Sequence, residues 1–282
     1  MEITVAKSAG FCFGVKRAVE ETIKTLEKSD KTIYSIGSLI HNEKVISTLK
    51  EKGLVELNDK DAISSIQSST VIIRTHGIDK KTYEILKKNG NIIVDLTCPF
   101  VEKIHKIVNK YSDDGYHIIV IGDKSHPEVK GIVSYGENID VILSEEDIKN
   151  LKIAENKKIL VVFQTTTNAT NAEKLVDILR KFYYNINIIN TICNTTIDRQ
   201  EEVKLLAIVS DVMIIIGSEK SSNTMKLYDI AKENCASTYI VNDSNKLENI
   251  SIKENAKVGV SAGASTPQYL IEEILTNVRA KF

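Results

Sequence analysis

Cys12, Cys98 and Cys193 are three of the chain's four cysteines, and they stand at equivalent places rather than in a local pair. They lie 86 and 95 residues apart, in the contexts Ala9-Gly10-Phe11-Cys12, Asp95-Leu96-Thr97-Cys98 and Thr191-Ile192-Cys193. At 25, 24 and 24 residues beyond each cysteine a strand-like run ends in Ile-Gly: Ile36-Gly37, Ile121-Gly122 and Ile216-Gly217. A polar cluster follows each glycine: Ser38 with His41-Asn42, Ser125-His126-Pro127-Glu128, and Ser221-Ser222-Asn223. A later run in each segment ends in a second polar turn: Arg74-Thr75-His76-Gly77, Gln164-Thr165-Thr166 and Ser261-Ala262-Gly263-Ala264-Ser265. Thiolates suit soft-metal centres and iron–sulfur clusters. A structural zinc site wants four protein ligands, usually with C-x₂-C pairs, and no such pair occurs here. Three thiolates at one centre therefore point to a shared metal site, with an iron–sulfur cluster ahead of zinc. The cysteines alone do not fix its nuclearity. A cubane held by three ligands would leave one iron open as a Lewis acid. Cys235 falls outside the repeat and reads as a small packed or surface residue.

The elements that must position these residues are legible as short β-branched runs alternating with helical periods. The expected strands are Thr32–Ile36, Thr70–Arg74, Asn91–Asp95, His117–Ile121, Lys158–Phe163, Ile186–Ile189, Val212–Ile216 and Lys257–Val260. Continuous apolar runs suggest parallel sheets covered on both faces, and strand–helix alternation gives the α/β class. The repeat divides the chain into three α/β units, 1–97, 98–192 and 193–282, with the C-terminal helix expected on the first. In parallel α/β sheets ligands bind beyond the carboxyl ends of strands, where helix N-termini offer N–H groups and partial positive charge. Three such edges facing a common centre would gather the cysteine turns, the post-glycine clusters and the later turns.

Composition narrows the function. The apolar (42%) and charged (27%) fractions are those of an ordinary soluble domain, and the net charge of −1 gives no footprint for nucleic acid or anionic membrane. No apolar run approaches a membrane span, and Met1-Glu2-Ile3-Thr4 opens no signal peptide. A cytosolic monomer, bound to neither membrane nor nucleic acid, is expected, its thiols reduced. Taken singly, each candidate has a plain structural reading: a loop histidine for His41, His76 or His126, a first-turn acid for Glu128, an N-cap for Ser221. A zinc hydrolase built on the histidines and Glu128 would leave the equivalent cysteines unexplained. A cluster-bearing sensor or other non-catalytic binding module would not need an acid beside the centre. His105 and His117 lie off the repeat and read as structural or solvent-facing.

The motifs Gly10-Phe11-Cys12-Phe13-Gly14-Val15, Arg74-Thr75-His76-Gly77, Asp95-Leu96-Thr97-Cys98-Pro99 and His126-Pro127-Glu128-Val129 resemble those of the 4-hydroxy-3-methylbut-2-enyl diphosphate reductases. So do Gln164-Thr165-Thr166, Thr191-Ile192-Cys193, Ser221-Ser222-Asn223 and Ala262-Gly263-Ala264-Ser265, in the family's order along essentially the whole chain. The resemblance implies three α/β units around a central [4Fe–4S] cluster with three cysteine ligands, Cys12, Cys98 and Cys193, and one open iron for the substrate hydroxyl. It implies the last step of the methylerythritol phosphate route, in which an allylic hydroxyl is reductively removed to give isopentenyl and dimethylallyl diphosphates. Loss of that hydroxyl as water needs a proton, and Glu128 is the expected donor, oriented through the hydroxyl of Thr165. A carboxyl withdrawn from water keeps its proton more readily, which suits an acid. His41, His76, His126, Ser221, Ser222, Asn223 and Ser265 are expected to bind the diphosphate, with Thr165 also facing substrate. With no G-x-G-x-x-G signature for a dinucleotide, a small redox protein of the ferredoxin or flavodoxin type is the expected electron donor.

Overall fold

The computed structural model describes residues 1–154 and 156–281; Glu155 and Phe282, within the expected second and third units, lie outside the described residues. The strands, in chain order, begin β1 (Glu2–Val5), β2 (Ile33–Ile36), β3 (Leu54–Leu57), β4 (Thr70–Ile73), β5 (Ile92–Asp95) and β6 (His117–Ile121). They continue as β7 (Ile139–Ile142), β8 (Ile159–Phe163), β9 (Ile186–Ile188), β10 (Val212–Ile216), β11 (Thr238–Val241) and β12 (Lys257–Ala262). The helices begin α1 (Phe13–Glu27), α2 (Glu43–Glu51), α3 (Lys60–Ser65), α4 (Lys80–Lys88), α5 (Pro99–Asp113) and α6 (Pro127–Val133). Then come α7 (Glu145–Lys149), α8 (Ala169–Phe182), α9 (Asn194–Ile208), α10 (Ser222–Asn234) and α11 (Gln268–Lys281).

Among the described residues the strands form three four-stranded sheets, ordered β3-β2-β4-β5, β7-β6-β8-β9 and β1-β12-β10-β11. Every pairing is parallel. Taken from its other edge, the third sheet is β11-β10-β12-β1, the order of the other two with the amino-terminal strand in the place of β5 and β9. The α/β class and the three small parallel sheets agree with the expectation, and all eight expected strands are present. The four unanticipated strands, β1, β3, β7 and β11, are all edges. Polar residues interrupt them (Glu2 and Thr4, Glu56, Asp140, Thr238), so they lack the apolar run that marks a buried strand.

Two expectations need correction. β1, at the head of the 1–97 stretch, pairs with β12 from Glu2↔Lys257 to Val5↔Val260 and so lies in the sheet of the 193–282 strands. The C-terminal helix also packs on that sheet rather than on β2–β5. Leu270, Ile271, Ile274 and Val278 give α11 one apolar stripe, and it covers Val212, Ile214 and Ile216 of β10 and Val258, Val260 and Ala262 of β12. The alternate residues Met213 and Ile215 face α9 and α10 through Val203, Leu206, Ala207, Leu227, Ile230 and Ala231. Burial on both faces is why β10 is apolar at every position. In β6–β9, likewise, Ile118, Val120, Leu160 and Val162 pack under Ile104 and Val108 of α5 and Val129 and Ile132 of α6.

The chain divides into two compact units. One comprises Met1–Lys16, Ile40–Thr48 and Asn194–Phe282 and contains the sheet completed by β1; the other, Arg17–Leu39 with Leu49–Cys193, contains the remaining two sheets.

Candidate functional site

The three cysteine turns share one backbone device. The N–H of Cys12 donates to the Ala264 carbonyl (3.2 Å), that of Cys98 to Thr75 (2.9 Å) and that of Cys193 to Thr165 (3.0 Å). Each acceptor is the second residue beyond the end of the strand next to the one leading into the cysteine. Each cysteine also stands immediately before a helix: α1 opens at Phe13, α5 at Pro99 and α9 at Asn194. Cys98 is the N-cap of α5 in extended backbone (φ −60°, ψ 132°), and Pro99 supplies a first-turn residue that needs no N–H partner. Cys12, Cys98 and Cys193 are half-buried and outside any disulfide.

The Ile-Gly glycines repeat the pattern. The N–H groups of Gly37, Gly122 and Gly217 donate to Leu57 (2.8 Å), Ile142 (3.0 Å) and Val241 (3.0 Å), the last residues of three edge strands. Beneath the first two pack the opening residues of the later turns, Arg74 and Gln164, and beneath Gly217 pack Thr224 and Thr266. A Cβ on Gly37, whose φ is +71°, would stand 2.5 Å from Nη1 of Arg74. One on Gly122 would stand 2.8 Å from the Cβ of Gln164, so close approach rather than loop flexibility requires glycine there.

In the unit that holds β2–β9, Glu128 and Thr165 meet. Glu128 is 2% exposed. Its Oε1 accepts from the Thr165 N–H (2.7 Å) and its Oε2 from the Thr165 hydroxyl (2.8 Å). Local sequence sets this up: His126 is the extended N-cap of α6, Pro127 follows in the first turn, and Glu128 comes next. The Glu128 N–H donates to Nδ1 of His126 (3.2 Å), so a neutral His126 ring carries its proton on Nε2 and presents a donor there. The His76 ring meets His126 edge-on, with centroids 5.2 Å apart and planes at 84°.

In the other unit, Ser221 caps α10 by accepting the Thr224 N–H on its hydroxyl oxygen (3.3 Å), which leaves its own proton to donate. Ser222 and Asn223 open the helix. Asn223 is 6% exposed, and its Nδ2 has no hydrogen-bond partner among the described residues. The hydroxyl of Thr224, which sequence reasoning did not single out, is buried in the same condition. Ser265 donates to the carbonyl of His41 (3.2 Å). Asn42 then caps α2, its Oδ1 accepting the Val45 N–H (3.1 Å). His41, His126 and Ser221 each stand four residues after their glycine, whereas His76 is the counterpart of Thr166 and Ser265.

The residues set aside stay outside this chemistry. Cys235 is buried in the core with Leu227 and Ala231. His117 pairs with Asp140 at 2.8 Å. His105 is buried and stacked on Tyr135 (centroids 4.1 Å, planes at 12°). Burial pushes its pKa down to about 4, against the pull of Asp95 and Glu102. Sequence reasoning missed Arg17, Arg199 and Glu202, whose only signal is their place on the helix after a cysteine.

A half-buried thiol at a helix start, with its N–H already engaged, is a donor that suits an iron–sulfur centre better than zinc, and Cys12, Cys98 and Cys193 are each of this kind. The buried, unpartnered amide of Asn223 beside the Ser221 cap fits an anionic oxygen ligand. Fold and site thus define a parallel α/β protein whose three sheets each feed a cysteine turn. The chain belongs to the LytB protein family, whose model matches residues 3–279. Among curated relatives, the 4-hydroxy-3-methylbut-2-enyl diphosphate reductase of a Nitratiruptor species is 43% identical over 280 residues, covering 99% of this chain and 98% of that protein. That of Clostridioides difficile (strain 630) is 42% identical over 281 residues, 98% of each. Among solved structures, the E-1-hydroxy-2-methyl-but-2-enyl-4-diphosphate reductase from Plasmodium falciparum aligns with a TM-score of 0.89 at 28% identity, covering 98% of this chain and 87% of that one. A second structure, described as the terminal enzyme of the non-mevalonate pathway, aligns with a TM-score of 0.71 at 37% identity, covering 99% of both chains. The reductases of this family are iron–sulfur enzymes.

Proposed function

We propose that this chain reductively removes the hydroxyl of 4-hydroxy-3-methylbut-2-enyl diphosphate, giving isopentenyl and dimethylallyl diphosphates as the last step of the methylerythritol phosphate pathway. Two electrons and two protons enter, the C–O bond breaks, and the oxygen leaves as water. The observation that carries this reading is the end-to-end match to relatives bearing that name, 43% identical across 99% of the chain.

Cys12, Cys98 and Cys193 would hold the metal group, which we read as a [4Fe–4S] cluster with one open iron. When bound, that group supplies electrons one at a time and a Lewis-acidic iron. Glu128 delivers the proton that turns the hydroxyl into water. Its carboxyl is fixed by two bonds from Thr165, and the Thr165 hydroxyl can donate to a carboxylate or accept from a carboxylic acid, so the pair can pass a proton without rearranging. His41, His76, His126, Ser221, Ser222, Asn223 and Ser265 bind the diphosphate as hydrogen-bond donors, with the N-terminus of α10 behind Ser221–Asn223. The Nε2 donor of His126 and the unpartnered Nδ2 of Asn223 support this role.

We read the electron donor as a ferredoxin- or flavodoxin-type protein and the enzyme as a cytosolic monomer; among the described residues no helix is long and apolar enough to cross a membrane. The repeat is read as three units near 1–97, 98–192 and 193–282, with β1 lent to the third. Anaerobic turnover with reduced viologen tests the activity. Two viologens oxidised per diphosphate consumed, with both isomeric products formed, is the expected result. Iron- and sulfide-loaded protein that leaves the substrate untouched would refute it.

A further inference from the structure

Two helices carry arginines that the proposed proton and diphosphate chemistry does not use, and both reach the backbone of cysteine turns. Arg199 of α9 is 2% exposed. Its Nη2 donates to the Gly10 carbonyl (2.7 Å) and its Nη1 to the Ala262 carbonyl (2.8 Å). Gly10 lies two residues before Cys12, and Ala262 two before Ala264, the acceptor of the Cys12 N–H. One guanidinium therefore spans both chain segments joined by the bond that seats Cys12. Glu202, a turn farther along α9, accepts from the N–H of Lys7 (2.6 Å) and from the N–H (2.9 Å) and hydroxyl (2.5 Å) of Ser8. Burial opposes ionisation of Glu202, but the bonds from Ser8 and Lys7 outweigh it and hold the carboxyl below its ordinary range.

In the other unit, Nη2 of Arg17 donates to the carbonyls of Leu96 (3.3 Å) and Thr97 (2.7 Å), the two residues before Cys98. Among the described residues the Cys193 turn shows a different fastening, through Thr191. The Thr191 hydroxyl accepts from the Phe163 N–H (2.7 Å) and donates to the Phe163 carbonyl (2.6 Å). The equivalence of the three cysteines thus extends to their N–H bonds but stops at these clamps. Charge-assisted bonds are the stronger kind, and a guanidinium fork fixes two carbonyls at once. A cation held in low-dielectric surroundings also favours an added electron nearby.

We propose that Arg199 and Arg17 are positioning residues for the Cys12 and Cys98 turns, and that Arg199 also eases reduction of the anionic centre those thiols hold. The electrostatic half rests on the iron–sulfur reading above; the positioning half does not.

The test uses the full chain carrying Arg199→Met, Arg17→Met or Arg199→Lys. Hydrogen exchange on metal-free protein is expected to quicken about tenfold over residues 7–13 in Arg199→Met while 94–99 stays unchanged, and the reverse in Arg17→Met. In reconstituted protein, a dithionite titration followed by electron paramagnetic resonance should show Arg199→Met about tenfold harder to reduce, ~59 mV for a one-electron couple. Arg199→Lys should restore the wild-type midpoint. If Arg199→Met does not fold, Arg199→Gln, neutral but still a donor, carries the midpoint readout, and Arg17→Met carries the exchange readout. Exchange that rises equally in both segments, or not at all, overturns the positioning role, and an unmoved midpoint overturns the electrostatic one. Wild-type protein that assembles no cluster would instead refute the iron–sulfur reading and leave the exchange result to stand or fall alone.

Discussion

Glu128 has both carboxyl oxygens engaged by Thr165, so replacing one oxygen by an amide changes proton chemistry with little change of shape. Glu128→Gln is expected to lower kcat by roughly 10²–10⁴-fold, the usual worth of general acid catalysis, with KM little moved. Steady-state viologen kinetics measure it, and a near-normal kcat would remove Glu128 as the proton donor. His105 gives a prediction of another kind. Burial holds its folded pKa at about 4, against an ordinary value of 6.5. Between those values the unfolded chain binds the proton and the folded chain does not, so stability rises with pH across this window. Lowering the pH from 6.5 to 4 should cost the metal-free protein on the order of 3 kcal/mol from this group. Urea unfolding at a series of pH values measures the slope, and His105→Phe, which keeps a ring against Tyr135, should flatten it. An equal slope in both proteins would sink the assignment.

Helices and strands differ in how far the sequence announces them. Val212–Ile216 and Ile159–Phe163 are buried on both faces, so their sequence is apolar without a break and reads as strand at once. Edge strands such as Leu54–Leu57 keep one side open and carry polar residues, which erases that signal. The pairing of β1 with β12 joins residues from opposite ends of the chain, and no local pattern encodes it. The same holds for Arg199: an arginine on a helix reads as a solvated side chain until the fold seats it under Gly10 and Ala262. The cysteines and the post-glycine clusters were legible because the repeat puts them at matching offsets, whereas the pairing of Glu128 with Thr165 came from the family resemblance. α11 tests the corrected packing. Ile274 is fully buried against the β10–β12 face, so Ile274→Ala should destabilise the protein by about 2–5 kcal/mol. A loss below ~1 kcal/mol in urea unfolding would contradict that placement.

At the scale of the whole chain, one α/β plan is used three times, with the first strand lent to the last sheet. The plan supplies three thiols at equivalent turns while the polar residues around it diverge: glutamate and threonine in one place, serines and an amide in another. Under the proposed reaction, that divergence would separate the hydroxyl chemistry of Glu128 and Thr165 from the diphosphate contacts of Ser221, Ser222 and Asn223. The central claim is that Cys12, Cys98 and Cys193 together hold one iron–sulfur centre, and its most direct test is iron and acid-labile sulfide per chain in anaerobically purified protein. Wild type and Cys235→Ser should carry matching amounts of both, while Cys12→Ser, Cys98→Ser and Cys193→Ser should each lose them. Zinc without sulfide in the wild type, or full iron and sulfide in any of those three variants, would contradict it.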